Sequence, residues 1–180
     1  MGLALAATNL CSPYQAILGE AFDSLHAHVR RAHLAPLHAE GAIDVAHGEG
    51  WLAQLIISVL NLPAAGLHQS VRLEVAEDGS ELVWMRQIGK TVLRTRQRAH
   101  GSRLVERLGL GSISFDLVVK SGALLYQHSS MRFAGLPVPF ALTPRVAAVV
   151  SPTAGGWHVD VTVTWRDRIV CRYAGSMRAS

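Results

Sequence analysis

The sequence predicts an α+β fold that is mainly antiparallel β: a strongly curved meander sheet or lipocalin-like β-barrel of about eight to nine strands, with two N-terminal helices. Three patterns predict it. Up to residue 62, apolar residues recur at spacings of three and four, as on a helix. From Ser70 onward they recur at every second residue, as on a strand with two different faces. Turn-forming residues divide that second part into roughly nine short segments.

A first helix is predicted over residues 12–34. Ser12 is a suitable N-cap, and Pro13 suits the first helical position. The apolar stripe of this helix must cover another part of the protein, and Gly19 is its weak point. Pro36 ends the helix, because the residue before a proline disfavours helical backbone.

A second helix is predicted over residues 51–62, closed by Pro63. It is apolar almost all round, which predicts that it is largely buried. Between the two helices, Gly41–His47 alternates and fits a strand. The helices would plug the barrel mouth or pack in the concavity of an open, curved sheet.

The antiparallel strands are predicted over residues 70–178. The clearest two-faced segment, Trp157–Trp165, alternates apolar residues with polar ones, so one side of the sheet should be wet. About eight or more sequential antiparallel strands with one apolar face tend to curl until their edges meet. A closed barrel of that size can hold one small ligand.

Length and composition fit a single domain over residues 1–180. The chain is 49% hydrophobic, and a chain of this length buries about two thirds of its unfolded surface. The formal net charge is +4, but 15 of the 17 basic residues are Arg, which favours planar pairing with carboxylates. The basic balance therefore does not by itself indicate a nucleic-acid partner.

The opening segment MGLALAATNLCS lacks the basic flank of a signal peptide, and no apolar run is long enough to span a bilayer. We therefore expect a cytoplasmic protein without a transmembrane segment, and peripheral contact with a membrane stays open. Cys11 and Cys171 lie near opposite ends of the sequence. In a reducing compartment such a pair is more often two buried thiols than a disulfide.

Several motifs resemble one known family. They are W-x-R-x-x-G at Trp84, Arg86 and Gly89, L-x-E-R-x-G from Leu104, GLPVP at Gly135–Pro139, Y-x-G at Tyr173, the opening YQAILGEAF, and His33. In this order and spacing they resemble the bacterial domain-of-unknown-function family numbered 4166, over nearly the whole chain. The resemblance implies a domain found alone or joined to membrane or oxidoreductase-like parts, with no agreed activity.

The candidate site centres on Trp84, Arg86 and Glu106, which parity places on one face of neighbouring strands. If they point inward, Glu106 would be paired and desolvated, and could act as a general base or hold the polar end of a ligand. The alternative is a structural ion pair that braces the sheet. His33 and Tyr126 complete the expected ligand-binding set.

Five of the nine histidines lie between His26 and His47, yet we predict no metal site. His26 and His28 are two apart on a helix and should point in different directions, and there is no HExxH motif. For His33, the favoured interpretation is a residue that satisfies a helix C-terminus. No phosphate-binding loop or nucleophile elbow is present, and no cofactor is expected.

Arg94, Arg96 and Arg98 share one face of a strand. Such a row could bind phosphate or RNA, but it has no interleaved aromatic residues on which bases could stack. Acidic residues on neighbouring strands would neutralise it, namely Glu74, Glu77 and Glu81. We therefore predict a solvated face and no nucleic-acid partner.

Three functions stay open. The first is the binding of an apolar small molecule or lipid inside the barrel or curved sheet. The second is a cofactor-independent enzyme of cyclase or isomerase type, in which Glu106 moves a proton and Arg86 stabilises negative charge. The third is a structural or partner-binding accessory domain, which would have a filled interior and an exposed apolar patch.

Overall fold

Ten of the eleven strands that the computed structural model describes, over residues 12–180, close into an antiparallel barrel. The strands are β1 (Leu37–His47), β2 (Gly66–Asp78), β3 (Glu81–Ile88), β4 (Thr91–His100), β5 (Arg103–Leu108), β6 (Gly111–Lys120), β7 (Ala123–Phe133), β8 (Leu136–Pro137), β9 (Arg145–Thr153), β10 (Gly156–Trp165) and β11 (Arg168–Ala179). Each barrel strand pairs with its neighbours in the chain, and β1 pairs with β11 to close the ring. Strand β8 pairs only with the end of β7.

The meander and its closure into a barrel agree with the fold class that the sequence predicts. The barrel has ten strands and not eight or nine. The additional strand is β1, which lies between the two predicted helices and takes part in the closure. The seam between β1 and β11 leaves no room for a side chain at two glycines. A Cβ atom added at Gly175 would come 2.1 Å from the carbonyl oxygen of Ala42, and one at Gly41 would come 2.1 Å from that of Ser176. Both positions therefore require glycine.

The predicted first helix is wrong in its continuity. It consists of α1 (Pro13–Leu18), a 3₁₀ segment (Gly19–Ser24) and α2 (Ala27–Ala32). The predicted start of the helix is confirmed, because Ser12 is the N-cap of α1 and forms a capping box with Gln15. The first break falls at Gly19, whose φ of 54° lies outside the helical region, and the second at Leu25, which is extended.

The second predicted helix, α3 (Trp51–Val59), is shorter than expected and is not largely buried. Ala53 and Ile57 are buried, whereas the Trp51 side chain is 78% exposed. The apolar sequence misled the prediction because α3 packs mainly on β11, so only one of its sides is covered. Among residues 12–180, no helix is both long enough and apolar enough to cross a bilayer.

The two ends of the barrel differ. One, the helical end, carries α1 and α2 together with the β2–β3, β4–β5, β6–β7 and β9–β10 turns, and there the His26 amide donates to the Gly122 carbonyl at 3.0 Å. The opposite end, which we call the rim, carries the other connections. These are residues 47–67 with α3, 88–92, 107–111, 132–145 with β8 and the 3₁₀ segment Phe140–Leu142, and 165–169.

A candidate ligand site inside the barrel

Strands β3, β4 and β5 present a polar face to the barrel interior. Trp84 lies opposite Thr95 in the β3–β4 pairing, and Gln97 lies opposite Glu106 in the β4–β5 pairing. Because side chains alternate along each strand, Arg86 shares the face of Trp84. The structure thus brings Trp84, Arg86 and Glu106 together, as the spacing predicts.

Arg86 organises this face. Its Nη1 donates to Thr95 Oγ1 at 2.9 Å and to Glu106 Oε1 at 3.2 Å. Its guanidinium carbon lies 4.7 Å from the centre of the Trp84 ring, in a cation–π arrangement. Burial lowers the pKa of Arg86, but the Glu106 carboxylate and three nearby tyrosines, Tyr173, Tyr14 and Tyr126, together raise it by more, so the pKa lies above its ordinary value. The guanidinium therefore stays charged and paired.

A second polar group joins the helical end to the barrel wall. Tyr126 Oη lies 2.7 Å from His33 Nε2 and 3.0 Å from Tyr14 Oη, and the Tyr14 hydroxyl lies 2.5 Å from Gln97 Oε1. All four side chains are buried. The cluster thus connects α1, α2, β4 and β7.

The direction of these hydrogen bonds follows from the state of His33. Its Nδ1 lies 2.6 Å from the Val29 carbonyl, which can only accept, so Nδ1 carries a proton. Burial lowers the pKa of His33 to about 4, so its Nε2 is an acceptor at neutral pH. Burial also raises the pKa of Tyr126, which keeps its proton and donates it to His33.

A cavity of about 140 Å³ lies against both polar groups. His33, Arg86, Gln97, Glu106, Tyr126 and Tyr173 contribute polar atoms to its wall. The remaining wall is mostly apolar and comes chiefly from β1, β2, β9, β10 and β11. It includes Ile43, Val71, Leu73, Val146, Ala148, Val150, Val159, Val161 and Met177. The interior therefore offers one polar side and one apolar side to the same space.

One donor atom of a residue that lines the cavity has no partner among the described residues. Trp84 lines the cavity and is 6% exposed, and its Nε1 is buried without a hydrogen bond. Both ring nitrogens of the half-buried His128 share that condition. Burial and the nearby Arg145 charge lower the pKa of His128, which favours the neutral ring. An unpaired buried donor is costly, and a ligand with an acceptor would remove that cost at Trp84.

All five residues expected to bind a ligand, Trp84, Arg86, Glu106, His33 and Tyr126, border the cavity. Four further polar residues at or beside the site were not expected there from the sequence, namely Tyr14, Thr95, Gln97 and Tyr173. A signal for Thr95 and Gln97 was present in the sequence. They lie two and four residues after the apolar, buried Leu93, so strand alternation places them on the same inward face. Tyr14 resembles any other member of an apolar helical stripe.

The arginine row faces outward, as predicted. Arg94 and Arg98 are exposed, and Arg96 pairs with Asp78 at 2.8 Å and with Glu81 at 3.1 Å. Of the three carboxylates expected to neutralise the row, Glu81 is confirmed as a partner, and Asp78 takes the place of Glu74 and Glu77. Arg107 is also exposed, on the face opposite Glu106.

No group of three or more potential metal ligands occurs within residues 12–180. The expectation that His26 and His28 diverge is wrong: their ring centres lie 5.3 Å apart, because His26 is the N-cap of α2 and accepts from the His28 amide. Cys171 is buried, and burial raises the pKa of its thiol to about 11. Cys11 lies outside the described residues.

Comparisons with known proteins give one family and one structural similarity. The model of the family described as Domain of unknown function (DUF4166) matches residues 25–177. No curated protein matches the chain. A solved structure of a secretary abundant heat soluble (SAHS) protein from Ramazzottius varieornatus is similar at 9% identity and a TM-score of 0.45, covering 81% of this chain and 95% of that one.

Proposed function

The chain belongs to the DUF4166 family, whose description states no activity, and from the geometry of its barrel we propose that it binds one small, mostly apolar molecule in the interior. The observation that carries the proposal is the 140 Å³ cavity, with an apolar wall facing the Arg86–Glu106 pair. A dry cavity of about 150 Å³ can hold a benzene-sized molecule. Drug-sized ligands occupy about 300 Å³ or more. The cavity as it stands therefore suits a ring-sized molecule better than a complete lipid.

The polar side of the cavity narrows the chemistry of this molecule. The unpartnered Trp84 Nε1–H calls for a hydrogen-bond acceptor. Arg86 is already neutralised by Glu106 at 3.2 Å, so an anionic ligand would meet the Glu106 carboxylate without a free counter-charge. A neutral oxygen, such as a ketone carbonyl on an apolar ring, satisfies both conditions.

Acetophenone and ethylbenzene form a matched pair of probes, because only acetophenone carries a carbonyl acceptor. We expect the protein to bind acetophenone roughly tenfold more tightly, which corresponds to one added hydrogen bond in a buried site. Trp84→Phe keeps an aromatic ring and removes the N–H, so this preference should disappear. Binding is measured by calorimetry or ligand-observed NMR. Trp165→Phe, at a residue outside the cavity wall, is the control and should keep the preference.

Native mass spectrometry of gently purified protein tests the proposal without a chosen probe. We expect a retained small-molecule mass that leaves on unfolding. A protein that retains no ligand and binds neither probe would contradict the binding function.

Catalysis by the same cavity is a second candidate, favoured by the position of the Glu106 carboxylate in the cavity wall beside Arg86. Glu106 would remove a proton next to a carbonyl, and Arg86 would stabilise the negative charge on the resulting enolate. Tyr173 also borders the cavity, and burial raises its pKa to about 12, so its hydroxyl stays a donor. An isomerase or cyclase without a cofactor could use these groups.

Exchange of the methyl protons of acetophenone for deuterium in D₂O, followed by NMR, measures this proton removal directly. If Glu106 is the base, wild-type protein accelerates the exchange and Glu106→Gln slows it roughly a hundredfold, while acetophenone binding is retained. An exchange rate in the presence of wild-type protein that equals the rate in buffer removes this candidate and leaves the binding function standing.

A further inference from the structure

The exposed large apolar side chains of the described residues are concentrated at the rim. Only Met85, Val118 and Val149 lie elsewhere, on the outer wall of the barrel. The rim set comprises Trp51, Leu55, Val59, Leu67, Val92, Leu110, Phe133, Leu136, Phe140, Leu142 and Ile169. Trp51 is 78% exposed, and Leu110 and Leu136 are each 71% exposed. Exposed apolar side chains that are concentrated in one region mark interaction sites, whereas singly scattered ones are normal.

The same end of the barrel is positively charged. Its connections carry six cations and only two carboxylates, Glu49 and Asp167. A third carboxylate nearby, Asp44 of β1, is paired with His68 of β2. None of the six makes an ion pair with another described residue, whereas Arg96, Arg103 and Arg172 on the outer wall all do. The six are Lys90, Arg107, Arg132, Arg145, Arg166 and Arg168.

Cations and aromatic rings are adjacent within this surface. The Arg145 guanidinium lies 4.5 Å from the centre of the Phe140 ring, and that of Arg166 lies 4.5 Å from the Trp165 ring. Aromatic rings with nearby Lys or Arg are typical of the boundary between lipid chains and headgroups. From the apolar residues and the unpaired cations together, we propose that the rim docks on an anionic lipid bilayer.

Charge argues for a bilayer over a second copy of this chain. Two rims placed face to face would bring two sets of six cations together with few carboxylates between them, which is unfavourable. An anionic bilayer supplies the missing negative charge and accepts the apolar side chains at once. The apolar residues also come from every connection around the rim, as contact with a plane requires.

Docking at this end would turn the rim side of the cavity toward the lipid. Ile88 and Val146 line that side; Ile88 lies two residues before the rim cation Lys90, and Val146 directly follows the rim cation Arg145. A bilayer concentrates small apolar molecules. The docked barrel would therefore stand where such molecules are most abundant, which goes beyond the proposal that it binds one of them.

Co-sedimentation with vesicles tests the docking. We expect roughly tenfold stronger partitioning onto phosphatidylcholine–phosphatidylglycerol vesicles in a three-to-one ratio than onto pure phosphatidylcholine, and a loss of that preference in high salt. Equal partitioning onto the two vesicle types, or none onto either, overturns the proposal. The acetophenone assay is run in solution, so its result is independent of this one.

Paired variants locate the contact. Trp51→Ser with Leu136→Ser should reduce partitioning about tenfold through lost apolar contact, and Arg166→Glu with Arg168→Glu should do so by reversing charge. The matched controls are Met85→Ser with Val118→Ser, and Arg94→Glu with Arg98→Glu, all on the outer wall. All of the substituted side chains are exposed, so the variants should fold, and circular dichroism of each variant checks this. Equal losses in the controls overturn the proposal, as does a rim-dependent dimer seen by light scattering.

Discussion

Replacing Arg86 with Met should lower the free energy of unfolding by about 3 kcal/mol, the cost typical of removing one partner of a largely buried ion pair. The Glu106 side chain is only 18% exposed and accepts from Arg86 at 3.2 Å, so Arg86→Met would leave its carboxylate without a counter-charge. Thr95 would lose its donor at the same time. Urea denaturation at neutral pH measures the change.

The double variant Arg86→Met with Glu106→Gln separates charge from packing. It removes the charge of both partners, so we expect it to recover most of the lost stability. Arg96→Met, on the outer wall, is the control and should leave the urea midpoint nearly unchanged, since exposed pairs contribute little. If Arg86→Met and Arg96→Met behaved alike, the Arg86–Glu106 pair would be solvated, and its assignment to a desolvated cavity wall would fail.

The stability of the protein should fall by about 3 kcal/mol as the pH is lowered from 6.5 to about 4, because of His33. Burial lowers the pKa of His33 from 6.5 to about 4, so the unfolded chain binds a proton in this range and the folded chain does not. The contribution is fully present above pH 6.5 and is lost as the pH falls toward 4. Urea denaturation across this range measures the slope.

His33→Gln tests the assignment, because it removes the titrating group. The variant should be less stable at neutral pH, and its stability should depend less on pH between 6.5 and 4. A residual slope is expected from His128, whose pKa burial lowers in the same direction. His38→Gln replaces an exposed histidine and should keep the wild-type slope. A His33→Gln slope equal to that of wild type would refute the assignment.

The sequence was sufficient to place Trp84, Arg86 and Glu106 together, because strand alternation fixes which side chains share a face once the turns are located. The fold class followed from the same pattern. The count of barrel strands differed, since closure depends on β1, whose partner β11 lies at the far end of the described chain.

The contacts of Tyr14 with Gln97, and of Tyr126 with His33, could not be predicted in this way. They join four elements that are distant in sequence, and their distances depend on how α1 and α2 dock at the helical end. The exposure of α3 was missed for a related reason. Its composition is that of a buried helix, and only the packing on β11 decides which sides are covered.

The seam between β1 and β11 joins the two barrel strands that lie farthest apart in the chain. The other nine seams join strands that follow one another, so each closes a comparatively short loop. The last seam joins Ala39 to Ala179 and so closes a loop that contains most of the described chain. The entropic cost of closing a loop rises with its length, so this seam carries the largest such cost. Until β11 has been synthesised and has met β1, the ring is incomplete and its cavity has no wall on that side. A nascent chain on the ribosome that still lacks β11 therefore has no closed cavity.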